Sequence, residues 1–520
     1  MVKDGENLVI IGGGITGLST ALCWALNVDT DKNPVVILEK ENKVGGYVTS
    51  YKRAGYLFDT TQLIPNADDI FAYFGITIDL KKFDSSYARI ILVDHKSDSI
   101  KRIGIPAGYD NFRSMLIKRY PDQEVKIKNF LDYTRALYLE LSKLKVEPNI
   151  FQLLATRFKC PKIVKNHRKT FRSLVDSFDF TNTELLEILN NFAAFSALPA
   201  DRVAALLTVG AMHTTLDGAF RPYKGFIEIP QKLRKRLLEL GGKVRCKAEV
   251  ESIIVNRGKV KGVRLKSGEI IDAAYVVTTI DPKNAMLKLV GREVLKKTDK
   301  AYLKKVEKEK MSTSSFNVAL GLDDKIDLSS LNLDNGYNII TTGGDTFSKL
   351  FDAFDKNEIG FSHDCFHLGV VCPSLTTGKK PCLIIRVVPM PLSDWQLLYE
   401  KDPDVYKRKK EKWADFFIEK VESYLIADLS KHIIYRDIAT PATYARYSGS
   451  PTGSIYDMAP YPENFGRKRL KMRTPVKRLF QPKFSHGVWP SLQAGMQVID
   501  MILRGRIMGG NTRYQARNFL

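Results

Sequence analysis

Three glycines, Gly12, Gly14 and Gly17, stand at the spacing Gly-x-Gly-x-x-Gly directly after the apolar run Leu8 to Ile11. This spacing suits a pyrophosphate. Gly12 permits a tight turn, Gly14 lets the backbone approach the phosphates, and Gly17 lets the following helix pack closely on the strand. That helix, from Gly14 to about Leu26, carries Leu18, Ala21, Leu22 and Ala25 at core spacing. Its first residues, Ile15 and Thr16, offer unpaired N–H groups and a partial positive charge to an anion. Val35 to Leu38 reads as a second strand, and Glu39 at its end is placed to hold the hydroxyl pair of a ribose, with Lys40 beside it. Glycine-rich turns alone are common. Strand, turn, helix, strand and acid in order within one βαβ unit are not. A βαβ turn that binds nothing would account for Gly12 and Gly17 but would leave Glu39 without a role.

The next residues carry a resemblance. Gly45-Gly46, then Tyr47, and then Gly55-Tyr56-Leu57-Phe58-Asp59 with Thr60 follow the acid. This order is similar to the FAD-binding half of the phytoene desaturase and amine oxidase superfamily, in which the glycine pair brings backbone against the flavin side of the cofactor. The resemblance implies FAD rather than NAD. Gly218 to Pro230, ending Gly225-Phe-Ile-Glu228-Ile-Pro230, looks like the return from the substrate domain to the FAD domain, and its ending resembles the retinol saturase and carotenoid isomerase branch. Short strands are expected at Ala248 to Val255, Val260 to Leu265 and Ile270 to Thr278, turned at Gly258 and Gly268. In the family the counterpart of Val250 lies against the adenine. Near the C-terminus, Thr440 to Tyr447, Gly449 to Tyr456, Thr474 to Phe480 and Gly487-Val488 leading into an apolar helix resemble the elements that close the flavin site.

Some residues depart from the family pattern. Thr61 stands near a usual glycine, Tyr47 replaces the arginine common in desaturases, and Gln481-Pro482-Lys483-Phe484 replaces a glycine-containing segment that meets the flavin side. Proline also removes a backbone donor there.

Composition narrows the rest. The chain has 520 residues, 44% of them hydrophobic, and a net charge of +22. That length accommodates two or three domains. No run of about 18 apolar residues marks a spanning helix, no charged-then-apolar signal pattern opens the chain, and six scattered cysteines do not form a disulfide framework. A cytoplasmic location, peripheral on a membrane, is the expectation. Basic residues gather at 157–172, 296–310, 407–412 and 467–478. The 296–310 stretch mixes in Asp299, Glu307 and Glu309 and reads as a solvated helix; for the other three, with no nucleic-acid module recognisable, an anionic membrane surface is the expected partner. His363, Cys365, His367, Cys372 and Cys382 invite a metal, but Leu368 to Cys372 reads as a strand, Pro373 breaks it, and no paired Cys-x-x-Cys occurs. No metal is expected.

The expected fold class is α/β with α+β elements: a Rossmann-like FAD-binding domain (1–95, 215–290 and 430–520) and a discontinuous substrate or lid domain of mixed sheet and helices (96–214 and 291–429). Helices are expected at Glu124 to Leu144 and Thr181 to Phe195, and strands at Ser315 to Gly321 and Leu383 to Val388. One Gly-x-Gly-x-x-Gly leaves no second fold for tight NAD(P)H binding, so a quinone, oxygen or a protein would take electrons. The resemblance implies a desaturase, saturase or isomerase acting on a long apolar unsaturated lipid such as a carotenoid, retinoid or other isoprenoid. Two alternatives use the same residues: an amine-oxidase-like flavoenzyme with a smaller substrate held in an aromatic cage, or a non-catalytic relative whose flavin site has decayed. No catalytic residue is assigned. His213, Arg446, Tyr456 and His486 are the polar candidates for the flavin's surroundings.

Overall fold

Leu8–Ile11 and Val35–Leu38 are short, apolar and almost fully buried, as strands covered on both faces must be. The computed structural model describes residues 2–95, 97–143, 156–464, 469–482, 487–505 and 507. In it these two strands form the centre of a five-stranded parallel sheet. The order is Leu479–Phe480, Tyr275–Thr278, Leu8–Ile11, Val35–Leu38, Lys243–Arg245. Three separated stretches of chain therefore build one sheet. Helix Ile15–Asn27 covers it, and helix Val488–Ile502 and helix Glu228–Glu239 pack against that helix in one core.

The third expected strand, Ile270 to Thr278, is two. Ile270–Asp272 completes an antiparallel trio with Val250–Asn256 and Lys259–Leu265, and Tyr275–Thr278 joins the parallel sheet. Asn7 makes the break: its Nδ2 donates to the Asp272 carbonyl at 2.7 Å and its Oδ1 accepts from the Ala274 N–H at 2.8 Å. A side-chain amide thus satisfies the backbone groups that a continuous strand would have paired.

The second sheet has seven strands, in the order Ile433–Ala439, Ser314–Leu322, Cys382–Met390, His367–Val371, Tyr337–Thr341, Ala88–Asp94, Ser99–Ile105. Its first and sixth strands fall inside spans expected for the nucleotide domain. Ala88–Asp94 is almost wholly buried and pairs on both sides, so the second sheet is where its backbone and side chains are satisfied. The two faces of this sheet differ. Phe316, Val318, Leu320, Leu383, Ile385 and Val387 pack with Trp395 and with Phe417 and Val421 of helix Pro403–Tyr424. The opposite face carries Asn317, Ala319, Gly321, Ile384, Arg386 and Gly369, set in register. A side chain at Gly321 would overlap the Tyr56 ring, and the Tyr56 hydroxyl donates to the Leu322 carbonyl at 2.9 Å. Hairpin Ser50–Arg53/Tyr56–Asp59 is thereby pressed against this face.

A helical unit flanks the second sheet. Helix Glu124–Leu141 packs in one core with Ala205–Leu216, and the expected Thr181 to Phe195 helix is Thr183–Asn190 followed by a tighter 3₁₀ turn, Asn191–Ser196. His213 lies inside this unit, fully buried between the rings of Tyr109 and Tyr138, with Nε2 3.1 Å from Thr134 Oγ1. It is a core residue remote from the glycine turn. Burial, and then the nearby Arg135 charge, hold its pKa down to about 3. The neutral ring is the folded form, so the unfolded chain binds the extra proton below about 6.5. Stability is whole above that pH and is lost as pH falls toward 3, by at most about 1.4 kcal/mol per unit. The melting temperature should drop between pH 7.5 and pH 5, and His213→Phe should flatten that drop. Equal slopes in variant and wild type would assign the acid sensitivity to other groups.

Among the described residues, no helix is long and apolar enough to cross a membrane.

Candidate dinucleotide site

A cleft of about 530 Å³ opens at the C-terminal ends of the first two strands, between the glycine turn and the antiparallel trio. Gly12, Gly14, Ile15, Thr16, Glu39, Lys40, Gly45, Gly46, Tyr47 and Val250 all line it. Gly17, Thr60, Gly487 and Val488 are not among its lining residues. The Thr60 hydroxyl bridges the carbonyls of Tyr47 and Thr49 at 2.7 Å each, which ties the glycine-pair loop to its hairpin. Gly487 is the N-cap of the closing helix, and Ser491, one turn further on, is the residue of that helix that reaches the cleft.

The glycines divide by what they avoid. Gly12 has φ +103°, and a Cβ there would come within 2.8 Å of Thr279 Oγ1; a Cβ at Gly17 would overlap the Gly12 carbonyl oxygen. Both are demanded by the protein's own packing. Gly14 is not: its backbone is extended at φ −67° and ψ 173°, and a Cβ would meet nothing nearer than Gly46 Cα at 4.0 Å. Gly46 faces it from the other side, and Gly45 bridges to Gly14, its N–H donating to the Gly13 carbonyl at 2.9 Å. The two bare backbones lie against each other, a Cβ at Gly46 coming within 3.2 Å of Gly14 Cα, and the open side of Gly14 faces the cleft at the start of a helix whose N-cap supplies no side-chain acceptor. That space and that helix end suit a pyrophosphate, so the residues present fit an FAD.

Glu39 is 9% exposed. Its Oε2 accepts from the Gly13 N–H at 2.6 Å and its Oε1 from the Glu41 N–H at 2.8 Å, which fixes the carboxylate at the strand end with lone pairs to spare for a ribose. Glu39→Gln must turn an amide NH₂ toward one of these N–H groups and loses a charge-assisted bond worth about 1.5–3 kcal/mol. FAD affinity measured by flavin titration should fall roughly 10- to 100-fold. Unchanged affinity would leave Glu39 a part of the turn and no more.

Arg446, one of the polar candidates, lines the cleft, and so do Lys43, Lys288 and Tyr447, of which the residue types gave no local sign. Lys288 comes from a π-helical segment, Asn284–Gly291, which Asn284 ties to the Gly449 carbonyl at 3.1 Å. Arg446 is exposed at the rim, with Nη1 donating to the Tyr399 hydroxyl at 2.9 Å. Lys40 donates to the Arg446 carbonyl at 2.7 Å. These cations complement the phosphates of a dinucleotide. Tyr447 is pushed up to about 12 by burial and then by Glu39 and Glu41, so it serves as a neutral phenol.

Residues 7–308 match the family described as DAO, FAD dependent oxidoreductase. The chain belongs to this family of FAD-dependent oxidoreductases. A plant prolycopene isomerase (Daucus carota) is 24% identical over 476 residues, covering 86% of this chain and 71% of that protein. A 4,4'-diapolycopene oxygenase of Methylomonas sp is 26% identical over 495 residues, covering 92% and 93%. An all-trans-retinol 13,14-reductase of Danio rerio is 21% identical, covering 92% and 82%. Among solved structures, an oxidoreductase from Methanosarcina mazei superposes with a TM-score of 0.64 at 15% identity, over 95% of this chain and all of that one. A putrescine oxidase variant gives 0.62 at 13% identity, over 96% and 99%. The cofactor of the family is FAD, and the fold is that of the flavoenzymes.

Tyr47 leads from this cleft toward the second sheet. Its hydroxyl donates to the Ser454 carbonyl at 2.9 Å and its ring lies 6.2 Å from that of Tyr444. Tyr456 is half-buried in the same region, close enough to Arg386 to feel its charge. Gln481 is buried at the end of the Leu479–Phe480 strand with both side-chain polar atoms unpartnered among the described residues. His486, Lys483 and Phe484 lie outside the described residues. Of the histidines and cysteines weighed for a metal, His367, Cys372 and Cys382 are buried on or beside strands of the second sheet. His363 instead stands in an exposed turn beside His95, with ring centroids 4.7 Å apart.

Proposed function

We propose that this FAD-dependent oxidoreductase acts on a long, apolar, unsaturated lipid, a carotenoid, retinoid or other isoprenoid, as a desaturase, saturase or isomerase. The observation that carries the reading is whole-chain similarity to three enzymes named for polyenes, combined with a glycine cradle that protein packing alone does not explain. Bound FAD supplies hydride transfer to or from carbon, which needs no strong acid or base from the protein. The chain's own task is then to seat the lipid in an enclosed space and keep water out. The amine-oxidase alternative has weaker support, since a putrescine oxidase shares the fold at only 13% identity. Gly14, a glycine that the protein's own packing does not require, keeps the space at the helix N-terminus open, which speaks against a decayed flavin site.

A quinone, oxygen or a protein is the proposed electron acceptor. The purified protein should carry flavin in its absorption spectrum, and anaerobic mixing with an acyclic carotenoid should either bleach the flavin or shift the polyene bands. A flavin-loaded protein that leaves carotenoids and retinoids unchanged would remove the substrate reading.

A membrane surface is the proposed source of the lipid. Phe158 is 82% exposed between exposed Arg157 and Lys159, with Lys165 and Arg168 also exposed nearby in sequence. An apolar ring flanked by cations suits an anionic bilayer. The 407–412 segment is different: Lys407, Arg408 and Lys412 share their helix face with Asp404, Glu411 and Asp415. Flotation with anionic vesicles should be strong when the Debye length is about 30 Å and weak at about 8 Å, and Phe158→Ser with Lys159→Glu should abolish it without changing flavin content. Salt-independent flotation would point to another surface.

A further inference from the structure

Arg386 sits in the middle of the second sheet, opposite Asn317 on one neighbouring strand and Gly369 on the other, on the face turned away from the helix-packed core. That face also carries Asn317 and, opposite Ala319, Asp437, with small or apolar residues between, and a guanidinium there is expensive unless its donors are used. Among the described residues its Nη2 donates to the Asp59 carbonyl at 2.8 Å, while its buried Nε has no partner. Asp59 accepts through Oδ1 from Ser50 and from the Phe226 N–H at 3.1 Å, while its Oδ2 has no partner among the described residues. The other nearby guanidinium, Arg221, is fully buried and spends its N–H groups on the carbonyls of Gln62 and Gly336. Of these two guanidiniums, Arg386 is the one with a buried donor, Nε, left without a partner among the described residues.

The phenols around it mark an enclosed space. Tyr337, Tyr444 and Tyr456 all have pKa values pushed up by burial, with the Arg386 charge acting the other way, yet each side chain retains accessible surface. Groups that are desolvated but still accessible line an internal cavity. Tyr337 lies across Gly369, where a side chain would overlap its hydroxyl. The Asn317 amide donates to the Tyr444 hydroxyl at 2.6 Å, and Ser315 holds the Asn317 oxygen at 2.9 Å. Ser315 also lies within hydrogen-bonding reach of the Tyr444 hydroxyl, whose one proton can go to it or to a ligand.

We infer that Arg386, assisted by Tyr444, is a specificity-determining residue that receives the acceptor oxygens of a carboxylate at one end of the substrate, so that the preferred lipid is a polyene acid and not a hydrocarbon at both ends. This rests on the isoprenoid reading above. A guanidinium fork and a phenol match a carboxylate's paired oxygens. They offer nothing to a terminal methyl group, and the guanidinium repels the ammonium of an amine substrate.

The test uses the flavin-loaded protein with retinoic acid and retinol, which differ only at the polar end, and reads binding from the perturbed flavin spectrum. Wild type should bind the acid at least about tenfold more tightly than the alcohol, as expected for a charge-assisted pair. Arg386→Met should abolish that preference while leaving retinol affinity within about threefold. Arg386→Lys, which keeps the charge but not the fork, should retain part of it. Flavin content and melting temperature report the folding of both variants. Equal affinity for acid and alcohol in wild type, or equal loss of both in both variants, overturns the inference and leaves the isoprenoid reading standing. If neither ligand binds the loaded protein, both fall together.

Discussion

Gly14→Val should give a folded protein that holds no flavin. The backbone at Gly14 is one that any residue adopts, and the nearest atom to an added Cβ is Gly46 Cα at 4.0 Å. The apoprotein therefore has room for the new side chain, and its melting temperature should move little. The pyrophosphate does not have room, because the valine fills the open space beside Gly14 on the cleft side of the helix N-terminus. Displacing the phosphates from the helix N-terminus forfeits both the N–H contacts and the dipole interaction, and the expected loss in FAD affinity exceeds roughly 100-fold. Gly17→Val is the contrast: its Cβ would overlap the Gly12 carbonyl oxygen, so flavin and fold should be lost together. A Gly14→Val protein that purifies with stoichiometric flavin would disprove the cradle.

Gly495→Leu should disrupt the nucleotide-binding core itself. Gly495 lies inside helix Val488–Ile502, where helix propensity alone favours its replacement by about 1 kcal/mol. Packing decides otherwise. A Cβ at 495 would overlap Ser19 Oγ and come within 2.7 Å of the Thr20 nitrogen and 2.8 Å of the Thr16 carbonyl oxygen. Two of these are backbone atoms of the glycine-turn helix, which is held in place by the sheet beneath it. Even Gly495→Ala must separate the helices, and overpacking of this kind costs about 1–3 kcal/mol. The leucine variant should lower the melting temperature by several degrees or more and release flavin, since Thr16 and Ser491 line the cleft from these same two helices. A variant as stable as wild type would mean that the two helices are less closely apposed than described.

The sequence by itself determined the glycine cradle and its acid, because strand, turn, helix and strand lie within one short stretch and each glycine's role follows from local sterics and chain reversal. Glu39 lies where that reading puts it, at the end of the second strand with its carboxylate turned to the Gly13 N–H. The resemblance carried by Gly45-Gly46 and the later segments extended this to FAD and to the lipid-directed branch of the family. Tertiary structure decided what depends on residues far apart in the chain. Asn7 divides the expected Ile270 to Thr278 strand by supplying hydrogen bonds from the far end of the domain. His213 is drawn into the helical core by partners on helix Glu124–Leu141, which its own neighbours in sequence do not announce. Lys288 and Arg446 reach the cleft from segments more than 150 residues apart. Arg386 reads in sequence as one polar residue in an apolar strand; only the pairing of seven strands puts it on the face turned from the helix-packed core, near the tyrosines beyond Tyr47. Local chemistry can be read from spacing, because the backbone fixes it within a few residues. Which side chains share a cavity depends on loop closures of tens to hundreds of residues, and those are settled only when the whole core packs.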